Sequence, residues 1–269
     1  MDSALSIIDS HAHLDYPEFE GRMDEVISRA RGLGVTRMIS IGVKLSTAHQ
    51  PRRLAETYDN IWFSAGIHPH EAGNDPDACN LDAILAAADH PKCVAIGEAG
   101  LDYFYDYAPR QAQADSFRIQ IEAARQTDRP IIVHARDADA DMADILETEM
   151  RKGAFAGVLH CFSSGPELAR RAVDIGFYIS FSGILTFNKA ETLRDIARDL
   201  PADRLLVETD SPYLAPAPHR GKTNEPGFTR HVLDRLAEIR GTTTEQMARQ
   251  TRENTLRLFS RMADTKAAD

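Results

Sequence analysis

The amino-acid sequence predicts an α/β fold, a (β/α)8 TIM-type barrel. Short apolar runs alternate with longer segments of helical period, which is the pattern of a parallel sheet covered by helices. Eight such units fit into 269 residues, close to the length of about 250 residues typical of this barrel. The alternative, an open doubly wound sheet, usually carries a glycine-rich phosphate loop after its first strand. Here the first predicted strand leads into Asp9-Ser10-His11-Ala12-His13, which favours the closed barrel.

The predicted strands are short runs of aliphatic and β-branched residues, apolar enough to be buried on both faces. In chain order they are Leu5–Ile8, Met38–Val43, Ile61–Ile67, Val94–Gly97, Pro130–Val133, Gly157–Leu159, Phe177–Phe181 and Leu205–Val207. In the predicted helices, apolar residues recur with a period near 3.6. These helices are Met23–Leu33, Leu81–Ala88, Arg110–Gln126, Asp139–Met150, Glu167–Ile175, Ala190–Leu200, Phe228–Ile239 and Thr244–Met262. Pro226-Gly227 and a threonine N-cap mark the starts of the last two.

Length and composition indicate one folded domain with an acidic balance. We expect a single barrel over residues 1–262 and a polar tail over residues 263–269. The chain has 31 Lys and Arg against 41 Asp and Glu, a formal net charge of −10. This charge argues against a protein that holds nucleic acid on a broad basic surface. It does not exclude an enzyme that handles phosphates with bound metal ions, because those cations dominate the local field.

The sequence favours a cytoplasmic protein without a membrane anchor. Apolar stretches such as Leu81–Ala88 are much shorter than the roughly 20 residues that span a bilayer. The first residues lack the basic start of a signal peptide. The three cysteines, Cys79, Cys93 and Cys161, have no C-x-x-C spacing, which argues against disulfides or a thiolate zinc site. No obligate protein partner is inferred.

Histidines and carboxylates follow the apolar runs at the points where the predicted strands end. In a parallel barrel all these ends meet on one face, where active sites are built. Nitrogen and oxygen ligands suit Zn²⁺, Mn²⁺ or Mg²⁺. In strand order, the residues are His11 and His13, His68, Glu98, His134, His160, and finally Glu208 and Asp210.

The hypothesis of a metal site depends on these residues jointly. Two residues apart, His11 and His13 lie on one face of a strand, and Glu98 after a buried run must be paired or coordinated. Singly, each has a structural alternative: a core histidine, a salt bridge or, for Asp210, a turn. Four histidines and two carboxylates on five strand ends are hard to obtain by chance, so we expect a metal centre.

Three other residues near the predicted mouth have weaker signals. His68, in Gly66-Ile67-His68-Pro69-His70, would touch substrate or shape the proline turn. Arg136, two residues after His134, would hold an anionic group or pair with an acid. Cys161 beside His160 is interpreted as a packing residue, because no base is indicated that would make its thiol a nucleophile.

At these residues the sequence resembles the TatD family of metal-dependent deoxyribonucleases, within the wider group of metal-dependent hydrolase barrels. The resemblance extends from the first strand to the last helix, and residues 177–222 are especially similar to the YcfH-like branch. The matching motifs are Asp9-Ser10-His11-Ala12-His13-Leu14, Gly66-Ile67-His68-Pro69-His70, Gly97-Glu98-x-Gly100-Leu101-Asp102, Pro130-x-x-x-His134-x-Arg136, His160-Cys161-Phe162-Ser163 and Glu208-Thr209-Asp210-Ser211-Pro212-Tyr213.

The resemblance implies a site for two divalent metal cations. Zn²⁺, Mg²⁺ and Mn²⁺ are not distinguished by the sequence. By motif match, the first cation would be bound by His11, His13 and Asp210 and the second by His134 and His160, with Glu98 as the bridge. The implied activity is phosphodiester hydrolysis in DNA, with 3′ to 5′ exonuclease action. The chain departs from the family pattern at Thr223, where many members have arginine. No lysine occupies the bridging position, so the carbamylated lysine of related phosphotriesterases is not expected.

The catalytic hypothesis is a water activated by two cations, with DNA as the substrate partner. Asp210 would bind metal and accept the proton of the water. Glu208 would orient Asp210 or form a buried ion pair, and Arg136 and His68 would contact the substrate phosphate. Two alternatives remain open: hydrolysis of a small ester, amide or lactone at the same metals, and a non-catalytic metal-binding scaffold.

Overall fold

Eight parallel strands lie side by side in chain order, from β1 to β8. The computed structural model describes residues 5–105 and 107–262. The strands are β1 (Ile7–Ala12), β2 (Val35–Ser40), β3 (Ile61–Ala65), β4 (Cys93–Asp102), β5 (Ile131–Arg136), β6 (Gly157–Leu159), β7 (Tyr178–Phe181) and β8 (Leu205–Val207). Every neighbouring pair is parallel.

A helix follows each strand and covers the outside of the sheet, and two helices follow the last strand. The helices are α1 (Met23–Gly32), α2 (His49–Thr57), α3 (Leu81–Ala88), α4 (Arg110–Thr127), α5 (Asp139–Lys152), α6 (Pro166–Asp174), α7 (Glu191–Asp199), α8 (Thr229–Arg240) and α9 (Thr244–Leu258). The predicted threonine cap precedes α9, where Thr243 and Gln246 form a capping box. None of the helices in the described ranges is long and apolar enough to cross a membrane.

The sheet closes on itself between β8 and β1. Ala12 and Ser211 form a parallel bridge, the amide of His13 donates to the carbonyl of Ser211 (2.8 Å), and the amide of Asp210 donates to the carbonyl of His11 (2.9 Å). The predicted (β/α)8 barrel is therefore confirmed, and the open doubly wound sheet is excluded.

The barrel interior is filled by apolar side chains at its lower end and by the polar cluster at its upper end. Ile132, Val158 and Leu206 belong to one buried interior cluster, which the end of α9 closes with Leu258, Phe259 and Met262. Because side chains on a strand alternate between faces, the residue two positions further on also faces the interior. Those residues are His134, His160 and Glu208.

The observed elements differ from the predicted ones in several boundaries and in one additional helix. Strand β1 continues to Ala12, β4 to Asp102 and β5 to Arg136, so several site residues lie inside strands where we predicted strand ends. Helix α2 was not predicted; it is rich in charged and polar residues and buries only Pro51 and Ala55, which leaves little apolar periodicity. The predicted tail, residues 263–269, lies outside the described residues.

Candidate metal centre

Seven side chains with metal-binding groups meet at the upper end of the barrel interior. We call them the central cluster: His11, His13, His68, Glu98, His134, His160 and Asp210. Six are the predicted metal ligands, and the seventh, His68, was predicted to contact substrate. His11 and Glu98 have exposed fractions of 0% and 2%. The structure thus brings together residues that are as far as 199 positions apart in the chain, from His11 to Asp210.

Glu98 lies in the middle of this cluster, and its two oxygens face different histidines. Its Oε2 is 3.4 Å from Nε2 of His11 and 3.8 Å from Nε2 of His13. Asp210 lies on the same side, with Oδ1 3.3 Å from Nε2 of His13 and 3.6 Å from Nε2 of His11. One oxygen of Glu98 therefore shares its surroundings with two imidazoles and a second carboxylate.

The other oxygen of Glu98 faces strands β5 and β6. Its Oε1 lies 2.8 Å from Nε2 of His160 and 3.0 Å from Nδ1 of His134. Nε2 of His68 is 3.4 Å from the same atom. A single carboxylate thus separates the cluster into an Oε2 side and an Oε1 side.

Two further buried carboxylates set the orientation of the imidazoles on the Oε1 side. Oδ2 of Asp102 accepts a hydrogen bond from Nε2 of His134 (2.9 Å). Oε1 of Glu208 accepts one from Nδ1 of His160 (3.2 Å). Carboxylates that bind the outer nitrogen of a metal-ligating histidine fix its tautomer and direct the other nitrogen. The remaining nitrogen of each ring faces Oε1 of Glu98.

This arrangement fits a bound cation, because several buried nitrogen and oxygen atoms that face each other lack a hydrogen-bond partner. Buried polar atoms without a hydrogen-bond partner are costly. In the described part of the chain, such atoms include Oε2 of Glu98, Nε2 of His160, Nδ1 of His13 and both ring nitrogens of His11. A tetrahedral ion with ligand bonds of about 2.1 Å separates its donor atoms by roughly 3.4 Å, close to the distances above. The donor set therefore suits divalent metal.

His68 has hydrogen bonding that suits a donor role. Its Nδ1 accepts the backbone N–H of His70 (3.1 Å), so the neutral ring carries its proton on Nε2. Burial lowers the pKa of His68 to about 4, which keeps the ring neutral at pH 7. A neutral imidazole with Nε2–H donates a hydrogen bond and offers no lone pair there.

The charges of the carboxylates follow from this environment. Burial alone would raise the pKa of Glu98, but His160 and His68 hold it well below its usual range. The pKa of Asp210 is also lowered, against burial, by its hydrogen bond with His13 and by the charge of His11. By contrast, burial raises the pKa of Asp9 to about 7. Asp9 accepts hydrogen bonds from the backbone N–H and the hydroxyl of Thr209 at 3.0 and 2.6 Å. It therefore holds the segment after β8 in place and, among the described residues, orients no imidazole ring.

Local backbone features place the carboxylates. Gly100 has φ +140°, and a Cβ there would lie 2.1 Å from the carbonyl oxygen of His134, so only glycine lets β4 approach β5 this closely. Asp210 and Cys161 have φ of 57° and 42°, in the left-handed region where non-glycine residues are uncommon. This turn at Cys161 directs its N–H to Oε1 of Glu208 (2.9 Å), and burial raises the pKa of its thiol. The thiol is thus un-ionised at pH 7.

Two predicted residues lie beside the central cluster. Glu208 was expected to orient Asp210 or to form a buried ion pair, and its hydrogen bonds go to His160 and Cys161. Arg136 lies outside the central cluster and lines a neighbouring cavity of about 780 Å³. Asp102 is the residue that the sequence analysis missed. It stands four residues after Glu98, and the prediction that β4 ends at Gly97 hid its position in a buried strand.

Comparisons with known proteins identify the family. A family model described as TatD related DNase matches residues 8–260. The chain belongs to this family. The resemblance noted in the sequence is therefore confirmed, and the chain is a member of a family of metal-dependent hydrolases.

Relatives in the TatD family cover almost the entire chain. An uncharacterized metal-dependent hydrolase named YcfH from Escherichia coli (strain K12) is 43% identical over 258 residues, covering 95% of this chain and 96% of the relative. A protein named 3′-5′ ssDNA/RNA exonuclease TatD from Citrobacter rodentium is 34% identical over 258 residues, covering 94% and 97%. The crystal structure of YJJV, a TatD homolog from Escherichia coli K12, has 30% identity and a TM-score of 0.88, covering 94% of this chain and 98% of that one.

Proposed function

We propose that this TatD-family hydrolase cleaves phosphodiester bonds of nucleic acids at a centre of two divalent cations bridged by Glu98. The observation that supports the proposal is the separation of donor atoms by the two oxygens of this carboxylate. Oε2 of Glu98 is 3.4 Å from His11, and Oε1 is 2.8 Å from His160. A carboxylate with a separate set of nitrogen donors at each oxygen suits two ions better than one.

Each side of Glu98 offers a complete set of nitrogen and oxygen ligands. On the Oε2 side the first ion would be held by His11, His13 and Asp210. On the Oε1 side the second would be held by Nδ1 of His134 and Nε2 of His160. When bound, the cations would lower the pKa of a water molecule and neutralise charge on a phosphate oxygen.

Asp210 is the carboxylate best placed to accept the proton of the attacking water. Its side chain is 14% exposed, compared with 3% for Glu98 and 0% for Glu208. Its lowered pKa keeps it ionised at neutral pH. A general base must reach the proton that it removes, and among these carboxylates Asp210 has the most open position. Glu208 acts through His160, as a positioning residue.

Two groups would bind the substrate phosphate. Nε2–H of His68 is directed into the cluster from a ring that is 14% exposed. The guanidinium of Arg136 lies over the rings of Phe104 and Tyr105 and lines the neighbouring cavity, where it would pair with an anion. Because the chain as a whole is acidic, such local cations are needed to hold a phosphate. The exonuclease name of one relative adds support for a nucleic-acid substrate.

The test compares substrates at controlled metal content. Chelator-stripped protein is supplied with Mn²⁺, Mg²⁺ or Zn²⁺ and offered bis(p-nitrophenyl) phosphate, end-labelled single-stranded DNA, and a panel of carboxylic esters and lactones. We expect metal-dependent hydrolysis of both phosphodiesters, which is lost in Asp210→Asn. Preferential turnover of the carboxylic substrates, or phosphodiester hydrolysis that survives chelation, would contradict the proposal.

A further inference from the structure

The large hydrophobic side chains that are exposed lie on the active-site face. In the described residues there are four: Phe104 (55% exposed), Tyr105 (42%), Tyr107 (62%) and Tyr213 (51%). The first three are in the segment between β4 and α4, and Tyr213 follows β8. Both segments leave the carboxyl ends of strands that supply the central cluster. Exposed aromatic surface in one place indicates a binding site.

Phe104, Tyr105 and Tyr107 form a connected surface, which we call the aromatic platform. The rings of Tyr105 and Tyr107 are stacked, with centroids 5.4 Å apart and an interplanar angle of 17°. Phe104 meets Tyr105 edge to face at 4.9 Å. The rings pack against each other and still leave two fifths or more of each residue in solvent. Tyr107, the most exposed of the three, therefore offers the most ring surface to a ligand.

The aromatic platform is anchored directly to the metal centre. Oδ1 of Asp102 accepts the backbone N–H groups of Phe104 and Tyr105, both at 3.0 Å. Its other oxygen accepts hydrogen bonds from His134 and from His70 (2.9 and 2.8 Å). One buried carboxylate therefore orients a metal-binding imidazole and fixes the start of the platform at the same time.

A cation adjoins the platform. The guanidinium carbon of Arg136 lies 4.1 Å from the ring centroid of Phe104 and 4.8 Å from that of Tyr105. Arg136 also lines the cavity of about 780 Å³, together with Lys189, Asp137 and Asp139. The surface beside the metal centre thus combines aromatic rings with the guanidinium of Arg136. This combination is the one that proteins use for single strands, where bases stack on rings and cations follow the backbone.

We propose that the aromatic platform stacks unpaired bases of a single-stranded nucleic acid whose phosphodiester lies at the metal centre. This inference rests on the proposed function and adds to it the residues that bind the unpaired bases. Stacking needs a free base face, which a single strand offers and an intact duplex buries. Since every base has such a face, the platform is expected to tolerate any sequence.

The test measures strand binding without turnover. Protein is stripped with chelator, and the dissociation constant is measured by fluorescence anisotropy with a short fluorescein-labelled single-stranded oligonucleotide of mixed sequence. The variants are Tyr107→Leu, which keeps apolar bulk and loses the aromatic face, and Tyr107→Trp, which retains one. Tyr58→Leu, a tyrosine at the end of α2 away from the platform, is the matched control. Thermal melting of each variant reports folding.

We expect Tyr107→Leu to weaken binding about 10-fold, Tyr107→Trp to restore it, and Tyr58→Leu to have no effect. An oligonucleotide of abasic sites should bind wild type weakly and be insensitive to Tyr107→Leu. In the metal-loaded enzyme, the ratio of kcat/KM on the oligonucleotide to that on bis(p-nitrophenyl) phosphate should fall by a similar factor. Unchanged strand binding in Tyr107→Leu, or an equal loss with the abasic strand, would overturn the inference. Failure of the proposed function is distinguishable, because it removes phosphodiester turnover in wild type and leaves the binding measurement intact.

Discussion

Replacing Asp102 by asparagine is expected to weaken one of the two proposed cation sites and leave the other unchanged. The Asp102 side chain is completely buried and accepts hydrogen bonds from Nε2 of His134 and of His70. Asparagine keeps the shape and one acceptor oxygen, which still serves the N–H groups of Phe104 and Tyr105. The negative charge that orients His134 is lost.

The size of the effect follows from the hydrogen bonds removed. A hydrogen bond to a charged group contributes about 1.5–3 kcal/mol, and loss of the partner of a metal-binding histidine typically costs about 10–100-fold in metal affinity. Among the proposed metal ligands in the described residues, Asp102 contacts His134, on the Oε1 side of Glu98. We therefore expect cation affinity on this side to fall about 10–100-fold. The side with His11, His13 and Asp210 keeps its affinity.

Isothermal titration of metal-free protein with Mn²⁺ or Zn²⁺ separates the two binding events. Asp141→Asn is the matched control, because Asp141 accepts a hydrogen bond from the hydroxyl of Tyr103 (2.7 Å) and not from an imidazole. We expect two binding events in wild type and in Asp141→Asn, one of them weakened in Asp102→Asn, with activity recovered at high metal concentration. Equal affinities in wild type and Asp102→Asn, or equal weakening of both binding events, would show that Asp102 does not orient His134 for metal binding.

Three other perturbations test the site and the fold. Asp210→Asn should lower kcat/KM on bis(p-nitrophenyl) phosphate about 100- to 10,000-fold with an unchanged unfolding curve; wild-type rates would exclude Asp210 as the base. Gly100→Ala should cost about 1–3 kcal/mol of unfolding free energy and weaken metal binding, because the new Cβ collides with the carbonyl of His134; an unchanged melting temperature would contradict the close packing of β4 on β5. Hydrogen bonds from Lys152 and Arg125 lower the pKa of Glu149 in the folded protein, although burial alone would raise it. The ionised Glu149 therefore stabilises the folded state at pH values above its unfolded pKa of about 4.3. This stabilisation is lost as the pH falls through the lower pKa of the folded protein. Glu149→Gln should cost about 2 kcal/mol at pH 7 in chemical denaturation, and a cost that persists at low pH would contradict this assignment.

The sequence identified residues whose position depends on strand order alone. His134 and His160 each follow a run of buried residues, and the rule that parallel strand ends meet on one face was sufficient to group them with His11 and Glu98. The barrel topology alone brings these strand ends together, so grouping the residues required no knowledge of individual side-chain contacts. The eight predicted strands are also the eight that the described part of the structure contains.

Features that depend on side-chain direction were not predictable in the same way. Glu208 accepts hydrogen bonds from His160 and from the backbone N–H of Cys161, a residue in the left-handed region that no local pattern indicated. The position of Asp102 in a strand was not predicted, because Gly97 and Gly100 suggest that the strand ends before it. In the structure, the absence of side chains at these two glycines allows β4 to continue alongside β5. The aromatic platform stood in the sequence as Phe104-Tyr105-x-Tyr107, but aromatic residues are usually buried, and only the structure shows that these rings are exposed.

The most direct test of the central claim is an anomalous-scattering measurement on crystals grown with Mn²⁺ or Zn²⁺, with data collected at the absorption edge of the metal. We expect two peaks, one beside each oxygen of Glu98. The first should lie among His11, His13 and Asp210, and the second between His134 and His160. A single peak, or peaks away from Glu98, would contradict a carboxylate-bridged pair of cations.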